Sequence, residues 1–177
     1  MATLREQIKT QHDIAEKTKF SELLLSGNIP KEVYAEYLYN QYECYKALEN
    51  KATELGLLKD FSEVCRNVLM KQDLDELNQP NLKLYPSTKA YIEFIKNDPE
   101  LKDLMGHIYV RHFGDMYGGQ IIKSKIPSSG KMYEFTDRSG LISKLRAVLT
   151  EDLGNAANHC FQFVINLHNE IADEYRL

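Results

Sequence analysis

With 177 residues, 43% of them hydrophobic, the chain can bury one substantial core and is short for two, so a single domain over 1–177 is expected. Its 22 basic and 26 acidic side chains are interspersed and leave a formal net charge of -4, which supplies no broad field for holding DNA or RNA. Three cysteines (Cys44, Cys65 and Cys160) form no CxxC pair and follow no secretory segment, and no apolar run approaches the roughly 18 to 20 residues of a spanning helix; a soluble, cytoplasmic protein without a membrane tail is the expectation.

Helical periodicity runs through almost the whole chain, so the expected fold class is all-α. Leu4, Ile8 and Ala15 predict an amphipathic helix over about Thr3 to Lys17, with His12 on its apolar side, facing the core. Pro30 suits a helix start, and Tyr34, Leu38, Gln41, Tyr45, Leu48, Ala52 and Leu55 repeat at helical spacing up to a stop at Gly56. One or two shorter helices follow between Leu57 and Leu77, the Pro80 to Pro86 stretch breaks the pattern, and another helix covers about Ser87 to Asn97. Asp98 as N-cap with Pro99 at the first helical position predicts a long helix to about Lys125, ended by Pro127-Ser128-Ser129-Gly130. Tyr133 to Thr136 is expected to be extended, with helices over about Gly140 to Leu149 and Asp152 to Tyr175 after it.

The anomaly is Gly114, Gly118 and Gly119 inside an otherwise good helix. Each costs about 1 kcal/mol against alanine, so roughly 2 to 3 kcal/mol of local stability is given up. Gly114 and Gly118 share a face and leave bare backbone that another body can approach, with Arg111 and Asp115 beside it; tight helix packing is the competing explanation. His12 is read in the same two ways. Glu16, four residues on, could take the proton of one imidazole nitrogen and leave the other free for iron, or the pair could be an ordinary helical contact around a satisfied core histidine. None of His107, His112, His159 or His168 has a glutamate three residues before it, which argues against a carboxylate-bridged di-iron bundle, and GxSxG, Walker and HExxH motifs are lacking.

The run Arg111-His112-Phe113-Gly114-Asp115-Met116-Tyr117-Gly118-Gly119-Gln120 resembles the distal-helix signature of heme oxygenases. Leu4-Arg5-Glu6-Gln7 to Gln11-His12, with Ala15-Glu16 and Phe20, resembles the proximal helix of that family; Tyr45-Lys46-Ala47-Leu48-Glu49 resembles its tyrosine-containing second helix, and Asp98-Pro99-Glu100-Leu101 the approach to the distal helix. The resemblance implies a helical bundle holding heme, as substrate and cofactor together, between the first helix and the Asp98 to Lys125 helix. It implies His12 as proximal iron ligand with Glu16 behind it, and Gly114, Gly118 and Gly119 along the distal face. Asp115, Arg111 and Tyr45 would form the hydrogen-bond network that organises pocket water. Arg5 and Arg146 would meet the heme propionates, and Phe161 would pack near the ring. The implied reaction uses dioxygen and electrons from a soluble donor such as ferredoxin, docking near Lys9, Lys123, Lys125 and Arg146, and yields biliverdin, carbon monoxide and ferrous iron, with a bilin reductase as a possible downstream partner. Two positions depart from the family: Ile142 stands where a second basic residue is expected, and Val164 near an expected asparagine. A heme carrier or sensor on the same scaffold is the second reading, and a heme-free helical enzyme, thiaminase-like or di-iron, the third.

Overall fold

The computed structural model describes residues 2–177, and every regular element among them is helical. Helix α1 (Leu4–Glu16) opens on a capping box, in which Thr3 accepts from Glu6 N–H and the Glu6 carboxylate accepts from Thr3 N–H. A short α2 (Lys19–Leu25) follows, where the sequence reading placed no element. Its start is set by Thr18, whose hydroxyl accepts from Ser21 N–H at 3.1 Å, and it buries Phe20 and Leu24. The long α3 (Lys31–Glu54) begins behind Pro30 as expected; α4 (Asn67–Leu77) and α5 (Pro86–Lys96, with Pro86 in its first turn) complete that half.

The second half departs from expectation in three places. Helix α6 (Leu101–Tyr117) is capped by Glu100 rather than Asp98, because Glu100 and Asp103 form a reciprocal capping box; Asp98 lies outside at φ 50° and pairs with Lys51. At the Gly118-Gly119 pair the expected single helix divides, and α7 (Gly119–Lys123) continues after a break at Gly118. Lys131–Tyr133 is a 3-10 turn, with extended backbone only from Glu134, because the buried Asp73 carboxylate accepts from both Lys131 N–H (2.9 Å) and Met132 N–H (3.0 Å). Helices α8 (Arg138–Val148, capped by Asp137) and α9 (Gly154–Tyr175) close the chain. None of the described helices is long and apolar enough to cross a membrane.

Helix α9 is the common support, packing against α1, α2, α5 and α6. Ile8 and Ala15 of α1, Tyr109 and Val110 of α6, and Ala157, Phe161 and Ile165 of α9 form one apolar cluster. The α6–α9 contact depends on Gly106. A Cβ there would lie 2.5 Å from the Ala156 Cβ and 2.9 Å from the Ala157 backbone nitrogen, so the two backbones nearly touch. Two buried histidines sit in the surrounding core. His107 and His168 are both neutral, because burial depresses their pKa to about 2 and about 4.

Gly106→Ala is therefore expected to destabilise the fold by about 1 to 3 kcal/mol, read from urea unfolding; unchanged stability would mean that α6 and α9 can part without cost. Both histidines are neutral when folded and protonate freely when unfolded. Stability is thus insensitive to their titration above about pH 6.5 and falls below it by up to about 1.4 kcal/mol per pH unit for each, with His168 ceasing to contribute near pH 4. Unfolding midpoints measured against pH check this, and His168→Gln should flatten the slope.

Candidate active site

The α1 side of the site is an accessible imidazole. His12 is 45% exposed at its side chain, so it stands at the margin of the apolar stripe that Ile8 and Ala15 fill, rather than facing the core as expected. Its Nε2 lies 3.3 Å from Glu16 Oε1 and its Nδ1 3.7 Å from Asp13 Oδ1; the ring meets Phe161 of α9 edge-on at 5.8 Å. A carboxylate that takes one N–H of an exposed imidazole leaves the other nitrogen as a lone-pair donor, which suits a single axial bond to a transition metal. A concavity of about 480 Å³ between Thr10, Asp13, Ile14 and Lys17 of α1 and Ile165 and Asn169 of α9 does not count His12 in its lining.

The glycines of α6 divide between the two explanations offered for them. Gly114 is exposed, and a Cβ built on it meets nothing within 4 Å; at Gly118 the nearest atom is the Gly114 carbonyl oxygen at 3.4 Å. These two present bare backbone to open space. Gly119 is buried, and a Cβ there would strike Tyr133 Cδ1 at 2.5 Å, so its missing side chain is accounted for by packing. Along the flank of the ledge, Phe113 and Tyr117 stack at 5.5 Å, and Arg146 of α8 donates to the Tyr117 hydroxyl with its guanidinium 5.9 Å above Phe113. Burial raises the Tyr109 phenol, and the charges of Arg5 and Arg146 both oppose that rise. Ile142 joins the apolar core instead of offering a charge.

Asp115 and Arg111 lie inside the protein, on the other flank of the glycines. The Tyr45 hydroxyl is 3.0 and 2.9 Å from the two Asp115 oxygens and 3.1 Å from the Arg111 carbonyl oxygen. Two proton placements fit these distances without moving a heavy atom. Either Tyr45 donates to an ionised Asp115, or a protonated Asp115 donates to Tyr45 while the phenol proton turns to the Arg111 carbonyl. Burial pushes the Asp115 carboxyl up to about 7, against the opposing pull of His112, Tyr45 and Arg66, so both placements are populated near neutrality. Arg111 donates from Nη1 to Gln41 Oε1 (3.0 Å) and from Nε to the Tyr91 hydroxyl (3.3 Å), which in turn meets His107 Nδ1 at 2.9 Å.

Sequence reasoning singled out Tyr45, Arg111 and Asp115, and the fold brings all three together. It did not single out Gln41, Tyr91, Glu49 or His112 as members of the same polar core. One signal was available for Glu49, which stands four residues after Tyr45 on the buried face of α3, where a charge needs a partner. His107, on the ledge helix α6, is fully buried, with Nδ1 on the Tyr91 hydroxyl and Nε2 enclosed without a partner, so it is not accessible to a ligand as His12 is.

A heme oxygenase family profile matches residues 1–166. Heme oxygenase 2 of Macaca fascicularis is 29% identical over 95% of this chain and 64% of its own length. Heme oxygenase 1 of Nostoc sp. is 31% identical over 77% of this chain and 65% of its own. The chain thus spans just under two thirds of these relatives. Among solved structures, the heme oxygenase-1 of Synechocystis sp. PCC6803, determined in complex with heme, superposes with a TM-score of 0.83 at 25% identity, covering 97% of this chain and 91% of the other. By the extent of the profile match and by a fold shared almost end to end, this chain belongs to the heme oxygenase family.

Proposed function

We propose that the chain, acting as one domain over 1–177, is a working heme oxygenase that opens heme to biliverdin with release of carbon monoxide and ferrous iron. The observation that supports this most directly is the pairing of an exposed, carboxylate-backed His12 with the bare Gly114–Gly118 ledge, both carried by helices that share α9 as support. An open backbone ledge suits the flat face of a macrocycle, and a single accessible imidazole suits its iron.

Bound heme would supply the iron that activates dioxygen and the ring that is oxidised. His12 would hold the heme iron, oriented by Glu16, with Phe161 packing edge-on against its ring. Gly114 and Gly118 would border the opposite face; Gly119 serves the same surface indirectly by admitting the Tyr133 ring. Asp115, buried at the ledge and titrating near neutrality, would hold pocket water and pass it protons by the two-way exchange with Tyr45, while Arg111 fixes the other end of that network through Gln41 and Tyr91. Arg5 and Arg146 would meet the two propionates, with Ile142 contributing none of the charge. Dioxygen and a soluble electron donor of the ferredoxin kind complete the reaction, in the cytoplasm, and a bilin reductase is a fitting consumer of the product.

Hemin added to the purified chain, then oxygen and reduced ferredoxin with catalase present, should give a Soret band that decays as a biliverdin band grows. A stable complex that never turns over would make the chain a heme carrier or sensor, and no complex would sink both readings. His12→Ala should abolish the native ferric spectrum and turnover together; an unchanged spectrum would move the axial bond to another residue. Asp115→Asn should leave hemin affinity within a few-fold while bilin formation falls on the order of 10²-fold. Retention of full bilin yield would remove Asp115 from the chemistry.

A further inference from the structure

Behind Asp115, in the core between α3 and α6, lies a buried pair that the proposed chemistry does not use. His112 and Glu49 have side chains 0% and 1% exposed, and His112 Nε2 is 2.7 Å from Glu49 Oε2. The other ring nitrogen, Nδ1, faces the Ile108 carbonyl oxygen at 3.1 Å. Both nitrogens therefore look at acceptors. A neutral imidazole carries one N–H and would turn a lone pair on one of them.

Glu49 cannot resolve the conflict by taking the proton itself, because its oxygens already receive donors. Oε2 accepts from Arg66 N–H at 2.7 Å, and Oε1 accepts from Asn67 N–H at 2.9 Å and Asn67 Nδ2 at 2.7 Å. Burial would raise this carboxyl, but the bond and charge of His112, the Arg66 N–H and the Asn67 amide outweigh it and hold it below the usual range. The same bonds tie the start of α4 to α3, so the carboxylate is fixed in place.

We propose that His112 is an imidazolium held between Glu49 and the Ile108 carbonyl, and that it acts as a positioning residue biasing the Asp115–Tyr45 proton exchange toward the Asp115 carboxylate. Its ring lies 5.3 Å from the Tyr45 ring, whose hydroxyl bonds Asp115. Among the other groups around Asp115, Arg66 pushes the same way, Glu49 opposes it, and the nearby phenols are neutral. Arg111 is its helix neighbour, and Arg66 sits before α4 with its guanidinium directed at the carbonyl oxygens of Glu63, Val64, Cys65, Met132 and Glu134. Tyr34 and Tyr37 of α3 and Tyr133 of the 3-10 turn are phenols held neutral by burial. With Arg66, Arg111 and His112 positive and Glu49 negative, an ionised Asp115 lowers the net charge buried here, and removing the imidazolium weakens that preference.

The charge assignment stands independently of the heme oxygenase reading; only its consequence for turnover rests on it. The test is side-chain nitrogen and carboxyl NMR on the heme-free chain. His112 should show both ring nitrogens protonated at neutral pH, and a single bare nitrogen there would overturn the assignment. In His112→Gln, whose amide can still donate to Glu49, the titration midpoint of the Asp115 carboxyl carbon should rise by about one pH unit or more. If that variant does not fold, Glu49→Gln/His112→Gln removes both charges and should give a smaller rise of the same sign, since the imidazolium acts on Asp115 more strongly than Glu49 does. An unmoved or lowered midpoint would overturn the bias. With hemin loaded, the acid limb of the turnover profile should move alkaline by the same amount; a shifted Asp115 with unshifted turnover would overturn the catalytic consequence alone.

Discussion

Helix α6 has to satisfy three different neighbours within four turns, and the rest of the molecule is arranged around how it does so. At Gly106 it gives up a side chain to lie against the α9 backbone; at Gly114 it gives one up to leave a surface open; between them it turns Arg111, His112 and Asp115 into the protein. Each glycine weakens the helix in isolation. Packing against α9 and the buried polar bonds have to make good that loss, which is why the helix is held from both sides: by α9 under its first half, and by Tyr45, Glu49 and Gln41 of α3 along its second.

The polar groups in that interior would be costly if any stood alone. Arg111, Arg66, His112, Glu49 and Asp115 are all nearly inaccessible, yet each has hydrogen-bond partners that match its charge. Asp115 is the least fully committed. Glu49 is surrounded by N–H donors and His112 by acceptors, whereas Asp115 has one hydroxyl that can serve as donor or acceptor. Full satisfaction makes a group rigid in its ionisation, and partial satisfaction leaves it able to exchange a proton. The same core therefore holds one carboxylate ringed by N–H donors and, on the facing helix, another whose side-chain partner can donate or accept.

The helical class, most helix positions and the partners Tyr45, Arg111 and Asp115 were legible because they rest on local patterns: period, proline and glycine punctuation, and a contiguous motif. What escaped was set by which side chains actually meet, nearby or far along the chain. The cap of α6 moved from Asp98 to Glu100 because a side chain three residues ahead answered it. The turn at Lys131–Tyr133 replaced extended chain because Asp73, far back on α4, gathers its amides. Glycine spacing alone could not divide Gly114 and Gly118, which stay open, from Gly119, which closes on Tyr133. His12 was expected to face the core and instead stands 45% exposed at the margin of the apolar stripe, a degree of exposure that helical period does not encode. His112 reads in sequence as one more polar residue on a mixed helix, and its environment became visible only when Glu49, 63 positions away, came to face it.

The contact between Gly119 and Tyr133 gives the break at Gly118 a mechanical meaning. Gln120 donates to the Tyr133 carbonyl at 2.7 Å, so α7 is fastened to the 3-10 turn by a ring on one side and an amide on the other. That turn is itself moored to α4 through Asp73 and to the Arg66 guanidinium through the Met132 carbonyl. The downstream end of the ledge thus behaves as a clamped beam. The ledge is anchored at both ends, by the α9 backbone at Gly106 and by Tyr133 and its turn at Gly119, with the bare Gly114 between them.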